Sequence, residues 1–312
     1  MSAQITLNAR NLTRRLGRRE VIRNISLQLR RGEVLGLLGH NGAGKSTTMQ
    51  LLAGVLIPHA GHVEICGHDM ALQPEKAKTC IGFLPETPPL YKDMRVDEYL
   101  RYAAKLHKVS RSGLNDALLL AKNRCGLASS GDKIIGTLSK GYQQRVGIAQ
   151  AIIHQPDVII LDEPTVGLDP TQIREIRNLI RELGNAHSVI LSTHLMSEVE
   201  SVCNRVEIMQ RGQFIYGDTS MRMQSMGQQA GFIVTLQAPP DIKLLYRVPG
   251  VVNVEALSET RFKILHTLDS NTAEALLTFS AQQGWQAQQL TPLQSNLEDA
   301  FVHITNQQEQ QP

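Results

Sequence analysis

Long apolar runs and closely spaced cysteines are both missing from this 312-residue sequence, and each absence removes a class of protein. Runs such as Ala117 to Ala121 and Val158 to Leu161 fall far short of the roughly 18 apolar residues that a membrane-spanning helix needs, so no segment is expected to cross a bilayer. Cys66, Cys80, Cys125 and Cys203 lie far apart, with no C-x-x-C and no paired His spacing. That pattern fits neither a zinc site nor a disulfide framework, and the four are expected to be ordinary buried or half-buried thiols. The start, Met1 to Gly17, holds no apolar stretch ahead of a small-residue cleavage site, so a secretory signal is not expected and a cytosolic setting is. Aromatic residues are scarce, at 4%. What remains, 42% hydrophobic and 20% charged, is ordinary globular composition, which excludes the disordered and fibrous classes.

A strong net charge is missing too, since 32 Lys plus Arg face 29 Asp plus Glu. The distribution is uneven, however. Arg10, Arg14, Arg15, Arg18, Arg19, Arg23, Arg30 and Arg31 precede residue 32 with only Glu20 among them. Such an end suits a nucleic acid or an anionic membrane surface, or it is a set of solvated strand and turn residues beside a phosphate site.

The apolar pattern gives an α/β order. Val34 to Leu38, Val158 to Leu161 and Ser188 to Ser192 read as buried strands, and Ser46 to Ala53 and Thr171 to Leu183 as helices between them. Glu20 to Leu29 alternates as a half-exposed antiparallel strand would. From Tyr91 to Gln155 the spacing is helical, with stripes at Val96, Tyr99, Leu100, Ala103 and Leu106 and at Leu114 to Ala121, which suggests a helical insertion. Gln, Met and Gly then dominate 221–231, as in a linker. Beyond it the strand and helix order is βαββαβ, a ferredoxin-like α+β domain, with a closing helix near Leu297 to Ile304 and a disordered tail.

Gly39-His40-Asn41-Gly42-Ala43-Gly44-Lys45-Ser46 fits the P-loop pattern and stands between a predicted strand and helix. Its glycines let backbone N–H groups face phosphate oxygens at a positive helix end. Lys45 reaches the β and γ phosphates, and Ser46, with Thr47 beside it, opens the helix and offers a hydroxyl to Mg²⁺. Hydrolysis of ATP also needs a metal carboxylate and a group that positions water. Asp162 and Glu163, at the end of an apolar strand, supply both: Asp162 for the metal and Glu163 as general base.

Leu138-Ser139-Lys140-Gly141-Tyr142 begins a helix that Ser139 can cap, a short way ahead of the strand that opens at Val158. It resembles the signature motif of ABC ATPases. Gly167-Leu168-Asp169 is similar to their D-loop, and Ser192-Thr193-His194 to their switch histidine. The resemblance, which covers residues 1 to about 305, implies a P-loop NTPase domain of ABC type over 1–220, with an antiparallel β subdomain and a helical insertion at about 86–155. A small domain over 232–305 and a tail over 306–312 complete the expected organisation. It implies ATP with Mg²⁺ as ligands and a dimer in which Ser139, Gly141 and Asp169 of one subunit complete the ATP site of the other. His194 would contact the γ phosphate.

Three positions depart from the family pattern. Glu86 stands where a glutamine usually links Mg²⁺ to the transport subunit. Lys140 and Tyr142 replace the usual signature glycine and glutamine, a variant associated with ABC-2 export systems. Leu16 falls where an aromatic residue would stack on adenine, so weaker selectivity for that base is expected. Leu84-Pro85-Glu86, Pro89-Leu90-Tyr91, Leu138 to Tyr142 and Leu297 to Phe301 resemble the gliding-motility and multidrug-type ATP-binding subunits of that group. The implied partner is an ABC-2 type membrane permease on the cytoplasmic face of the plasma membrane, docked near Tyr91 and the Val96 to Leu106 helix. No nucleic acid is expected, although an ABC ATPase acting on ribosomes or DNA, and a binding module without turnover, are the alternatives.

Overall fold

Alternating apolar residues pair the first two strands, β1 (Ile5–Leu16) and β2 (Arg19–Arg30), as an antiparallel hairpin that buries Leu7, Leu12, Ile22 and Leu29. The computed structural model describes residues 4–226, 231–267, 271–293, 301–302 and 304–305. Next comes β3 (Val34–Leu38), every residue of it buried, followed by α1 (Lys45–Leu52). The short β4 (Ala60–Ile65), β5 (His68–Asp69), α2 (Pro74–Thr79) and β6 (Ile81–Leu84) follow. Three helices fill the middle: α3 (Val96–Leu106), α4 (Leu114–Arg124) and α5 (Lys140–Ile152).

The chain then alternates in the parallel manner: β7 (Val158–Asp162), α6 (Pro170–Gly184), β8 (Ser188–Thr193), α7 (Met196–Val202) and β9 (Arg205–Gln210). An antiparallel β10 (Gln213–Thr219) closes the edge. The strand orders are β2-β1-β4-β5 in one sheet and β10-β9-β3-β8-β7-β6 in the other. Strands β9, β3, β8, β7 and β6 run parallel, so their carboxyl ends share one side of the sheet, where open α/β sheets bind ligands. Met49, Leu51 and Leu52 of α1 share one buried cluster with Leu7 and Leu12 of the first sheet and with Leu37 and Ile160 of the second. Each side chain of this size contributes about 1.5–3 kcal/mol by leaving water.

The first unit ends at Met221 and a second begins at Arg222. Where the composition suggests a linker over 221–231, a helix, α8 (Ser220–Met226), is present. Met, Arg and Gln are good helix formers, and no Gly or Pro interrupts them before Gly227. Residues 227–230 lie outside the described residues. The second unit runs β11 (Gly231–Leu236), α9 (Ile242–Leu245), β12 (Val251–Ala256), β13 (Arg261–His266), α10 (Thr272–Gln283) and β14 (Ala287–Pro292). Its antiparallel sheet has the order β12-β13-β11-β14, and Phe232, Val234, Leu276 and Trp285 lie in its core. The tail, and the closing helix apart from residues 301, 302 and 304, fall outside the described residues.

Candidate active site

The ends of β3, β7 and β8 bring the chemistry together. From the end of β3 the loop 39–44 turns tightly into α1. A side chain on Gly39 would put its Cβ 2.4 Å from the Met209 carbonyl oxygen, and Gly44 has φ +112°, which a larger residue adopts only under strain. The loop is held in place by Lys45, whose Nζ donates to the carbonyls of Gly39 (2.8 Å) and His40 (3.4 Å). Ala43 N–H closes on His40 O at 3.1 Å, and Thr48 Oγ1 donates to Gly44 O at 3.0 Å.

The end of β7 supplies both carboxylates. Asp162 Oδ1 accepts from Ser46 Oγ at 3.2 Å and from Ser192 Oγ. The same Ser192 hydroxyl accepts from Glu163 N–H at 2.9 Å, so β8 fixes the backbone at the point where the two acids part. Burial pushes the Asp162 carboxyl above the usual carboxylate range, while the two serine hydroxyls act against the shift. Glu163 has φ +47°, in the left-handed region that costs a non-glycine residue about 1–2 kcal/mol. This backbone accompanies a carboxylate that faces two partners: Oε1 lies 3.3 Å from Lys45 Nζ, and Oε2 lies 2.8 Å from Nδ1 of His194, just past β8. Lys45 and Glu163 are buried, whereas 42% of the His194 side chain is exposed.

Lys45, Ser46, Thr47, Glu86, Glu163 and His194 all line one cleft of about 660 Å³, together with Asn41, Gly42 and Gly44. Asp162 stands beneath it, bonded to Ser46. Of the expected nucleotide contacts, Gly39, His40 and Ala43 of the loop itself are not in its lining, and three from elsewhere in the chain do not line it. Ser139 is exposed and caps α5, accepting from Tyr142 N–H at 3.5 Å. Gly141 packs against the Gln172 side chain. Asp169 caps α6 by accepting from the N–H groups of Thr171 and Gln172, both at 2.9 Å. Leu16 does not line it either: it is 53% exposed, whereas its cross-strand partner Arg19 does line the cleft.

Arg19, Arg23 and Arg211 line the cleft without having been expected there from the sequence, as do Glu20, Val21, Val166 and Gly212. For Arg19 and Arg23 the signal was present in the Arg-rich start, without a means of telling which arginines turn inward; Arg211 lies outside that stretch. Others in that stretch have local partners, such as Arg14 with the Ile57 carbonyl (2.6 Å) and Arg15 with Glu20 (3.9 Å). Arg19, Arg23, Arg211 and Lys45 thus share the cleft with Glu20, Glu86 and Glu163, so both signs of charge line it.

Comparison with known proteins identifies the family. A family model described as "ABC transporter" matches residues 22–166, and a second, described as "AAA domain, putative AbiEii toxin, Type IV TA system", matches 134–200. The chain is 32% identical over 305 residues to the uncharacterized ABC transporter ATP-binding protein YdbJ of Bacillus subtilis (strain 168), covering 97% of this chain and 96% of that one. It is 34% identical to the bacitracin transport ATP-binding protein BcrA of Bacillus licheniformis, over 66% of this chain and 67% of that one. Among solved structures, an ATP-binding subunit of an ABC transporter superposes with a TM-score of 0.65 at 29% identity, covering 70% of this chain and 92% of the other. The chain belongs to the ABC transporter ATP-binding proteins, ATPases of the P-loop NTPase fold.

Proposed function

We propose that this chain is the ATP-hydrolysing subunit of an ABC-2 type exporter, working as a dimer on a separate membrane permease. The observation that carries the reading is the single carboxylate of Glu163, held between Lys45 and His194 in the cleft that the P-loop opens into. Lys45 neutralises charge on the β and γ phosphates, and the P-loop N–H groups orient them. Glu163 accepts a proton from the attacking water as its oxygen bonds to the γ phosphorus and the bond to the ADP oxygen breaks. His194 orients that carboxylate and hydrogen-bonds the γ phosphate.

Ser46 Oγ and Asp162 Oδ1 are hard oxygen donors only 3.2 Å apart, with Glu86 on the same cleft, which is the donor set Mg²⁺ prefers. Mg²⁺ held by these residues would supply charge neutralisation on the phosphate oxygens.

The dimer is supported by what the cleft leaves out. The capped start of α5 is suited to binding phosphate, yet neither Ser139 nor Gly141 lines the chain's own site. A second copy, or a related subunit, would bring that end, and Asp169 beside it, to the nucleotide. The permease reading is supported by a hollow of about 220 Å³ on the helical insertion, lined by Tyr91, Tyr99, Tyr102 and Leu106, with Tyr91 and Leu106 more than half exposed. A helix end of the membrane subunit would dock there and hold the ATPase on the cytoplasmic face. Export as the direction rests on the signature variant, and the bacitracin transport relative supports transport itself.

The test is to purify the chain from membranes in mild detergent and identify what accompanies it. A stoichiometric protein with several membrane spans is expected, and its loss on Tyr91→Glu or Leu106→Glu would map the hollow. Recovery without any multi-span protein contradicts the transport reading.

A further inference from the structure

Cys66 and Cys80, which the sequence places on opposite sides of α2, meet in space, and the distant Asp157 joins them. The ligand atoms of Cys66, Cys80 and Asp157 all lie within 4.8 Å of one another, the one such grouping of His, Cys, Asp or Glu among the described residues. All three are half-buried, and neither thiol is in a disulfide. The site sits where the two sheets of the first unit meet. Cys66 is in the turn between β4 and β5, Cys80 immediately precedes β6, and Asp157 immediately precedes β7. Val158 N–H donates to Cys80 O at 3.0 Å, Cys66 N–H donates to Thr6 O at 2.8 Å and Ser188 N–H donates to Asp157 O at 2.9 Å, so the backbones of all three are tied into sheet structure.

Cys66 occupies its position against local preference. Ile65 pairs with His68, which leaves Cys66 and Gly67 as a two-residue hairpin turn with φ +49° and +81°. A turn with both central residues in the left-handed region favours Asn or Asp followed by Gly, because a side chain there crowds its own backbone. A cysteine in that place gains nothing for the turn. It does put a thiol beside Cys80 and the Asp157 carboxylate, and an outlier of this kind points towards a role for the side chain.

We propose that Cys66, Cys80 and Asp157 bind a thiophilic divalent cation of the zinc class, with solvent as the remaining ligand. Two sulfurs and one carboxylate oxygen are the donors that zinc accepts and that Mg²⁺ and Ca²⁺ do not select. Binding converts both thiols to thiolates with release of two protons, so two thiolates, one carboxylate and the cation sum to one negative charge. Arg31, with Nη1 3.7 Å from Asp157 Oδ1, stands where it balances that charge. Because both thiols must give up their protons to bind, affinity is expected to rise with pH. The site lies at the amino ends of β6 and β7, whereas Asp162 ends β7 at its carboxyl end. The metal would therefore act as a staple between the sheets, separate from the ATPase cleft.

The test uses the reduced full-length chain titrated with Co²⁺ in excess Mg²⁺, reading the thiolate-to-cobalt charge-transfer absorption that oxygen ligands cannot produce. One Co²⁺ per chain, displaced by Zn²⁺, is expected. Cys66→Ser and Cys80→Ser should each abolish the band, and Asp157→Asn should weaken binding at least about tenfold. A second measurement needs no variant: saturating Zn²⁺ should slow alkylation of Cys66 and Cys80 together, by tenfold or more, as read by mass spectrometry of their peptides. No charge-transfer band, a band that survives loss of either cysteine, or alkylation unchanged by Zn²⁺ each overturns the proposal.

Discussion

The ammonium of Lys45 lies 3.3 Å from Oε1 of Glu163, and less than a tenth of either side chain is exposed. The P-loop cation and the proposed general base are thus neighbours before any phosphate is considered. The other oxygen of Glu163 faces His194 at 2.8 Å, so one carboxylate links the ends of β3, β7 and β8. A change in the charge on any of these three residues will be felt by the other two.

The first prediction concerns chemistry. Glu163→Gln keeps the shape and a hydrogen-bonding oxygen but removes the basicity proposed to deprotonate water. ATP affinity is expected to stay within a few fold, while turnover falls by roughly 10² to 10⁴. Equilibrium nucleotide binding and phosphate release on the same preparation check this, and an unchanged rate removes Glu163 from the base role.

The second concerns stability. Removing one partner of a buried ion pair leaves an uncompensated charge, which costs about 3–5 kcal/mol. Lys45→Met is expected near the lower end, about 3 kcal/mol, because His194 still faces the carboxylate. Adding Glu163→Gln should recover most of that loss. Urea unfolding of both single variants and the double variant closes the cycle, and additive losses would show that the two groups are not coupled.

The third concerns pH. The rings of His107 and His154 stack with centroids 3.7 Å apart, His154 Nε2 bonds Ile81 O at 2.9 Å, and His154 Nδ1 is buried without a partner. Burial first, and His107 second, push His154 down to about 4, and burial lowers His107 as well. The unfolded chain keeps His near 6.5, so between about 6.5 and 4 the unfolded state binds more protons. Stability should be full above pH 6.5 and decline by about 1–3 kcal/mol as pH falls towards 4. His154→Phe, which keeps a ring against His107, should flatten this part of the urea-midpoint profile against pH. An equally steep profile in the variant would contradict the assignment.

The fourth concerns the base of the nucleotide. Leu16 is exposed and outside the cleft lining, so no aromatic face is offered at that position and the stacking gain of about 0.5–1.5 kcal/mol is absent. Affinities for ATP and GTP are expected to lie within about tenfold. Competition binding measures both, and a preference above tenfold in the unaltered chain sinks the idea.

The strand–loop–helix unit of the P-loop and the strand that carries the two acids were legible in the sequence because their constraints are local. A P-loop must follow a strand and open a helix, and Asp162 and Glu163 must end a buried strand, so Val34 to Leu38 and Val158 to Leu161 located them. The inward arginines were not legible, because composition does not say which members of an arginine-rich hairpin line the cleft, and Arg211 comes from the distant turn between β9 and β10. The helix over Ser220–Met226 was obscured by a composition that helices and linkers share.

Spacing within single strand–loop–helix units was enough to point to the P-loop, the parallel strands around it and Lys45, Ser46, Asp162 and Glu163, while His194 was named through the resemblance to ABC ATPases. Which side chains meet across those units followed from packing alone: Lys45 with Glu163, Glu163 with His194, and Cys66 with Cys80 and Asp157. The cause is the same in all three cases. Contacts between residues distant in the chain depend on how sheets register and pack, and that is a property of the assembled core rather than of any local run of residues.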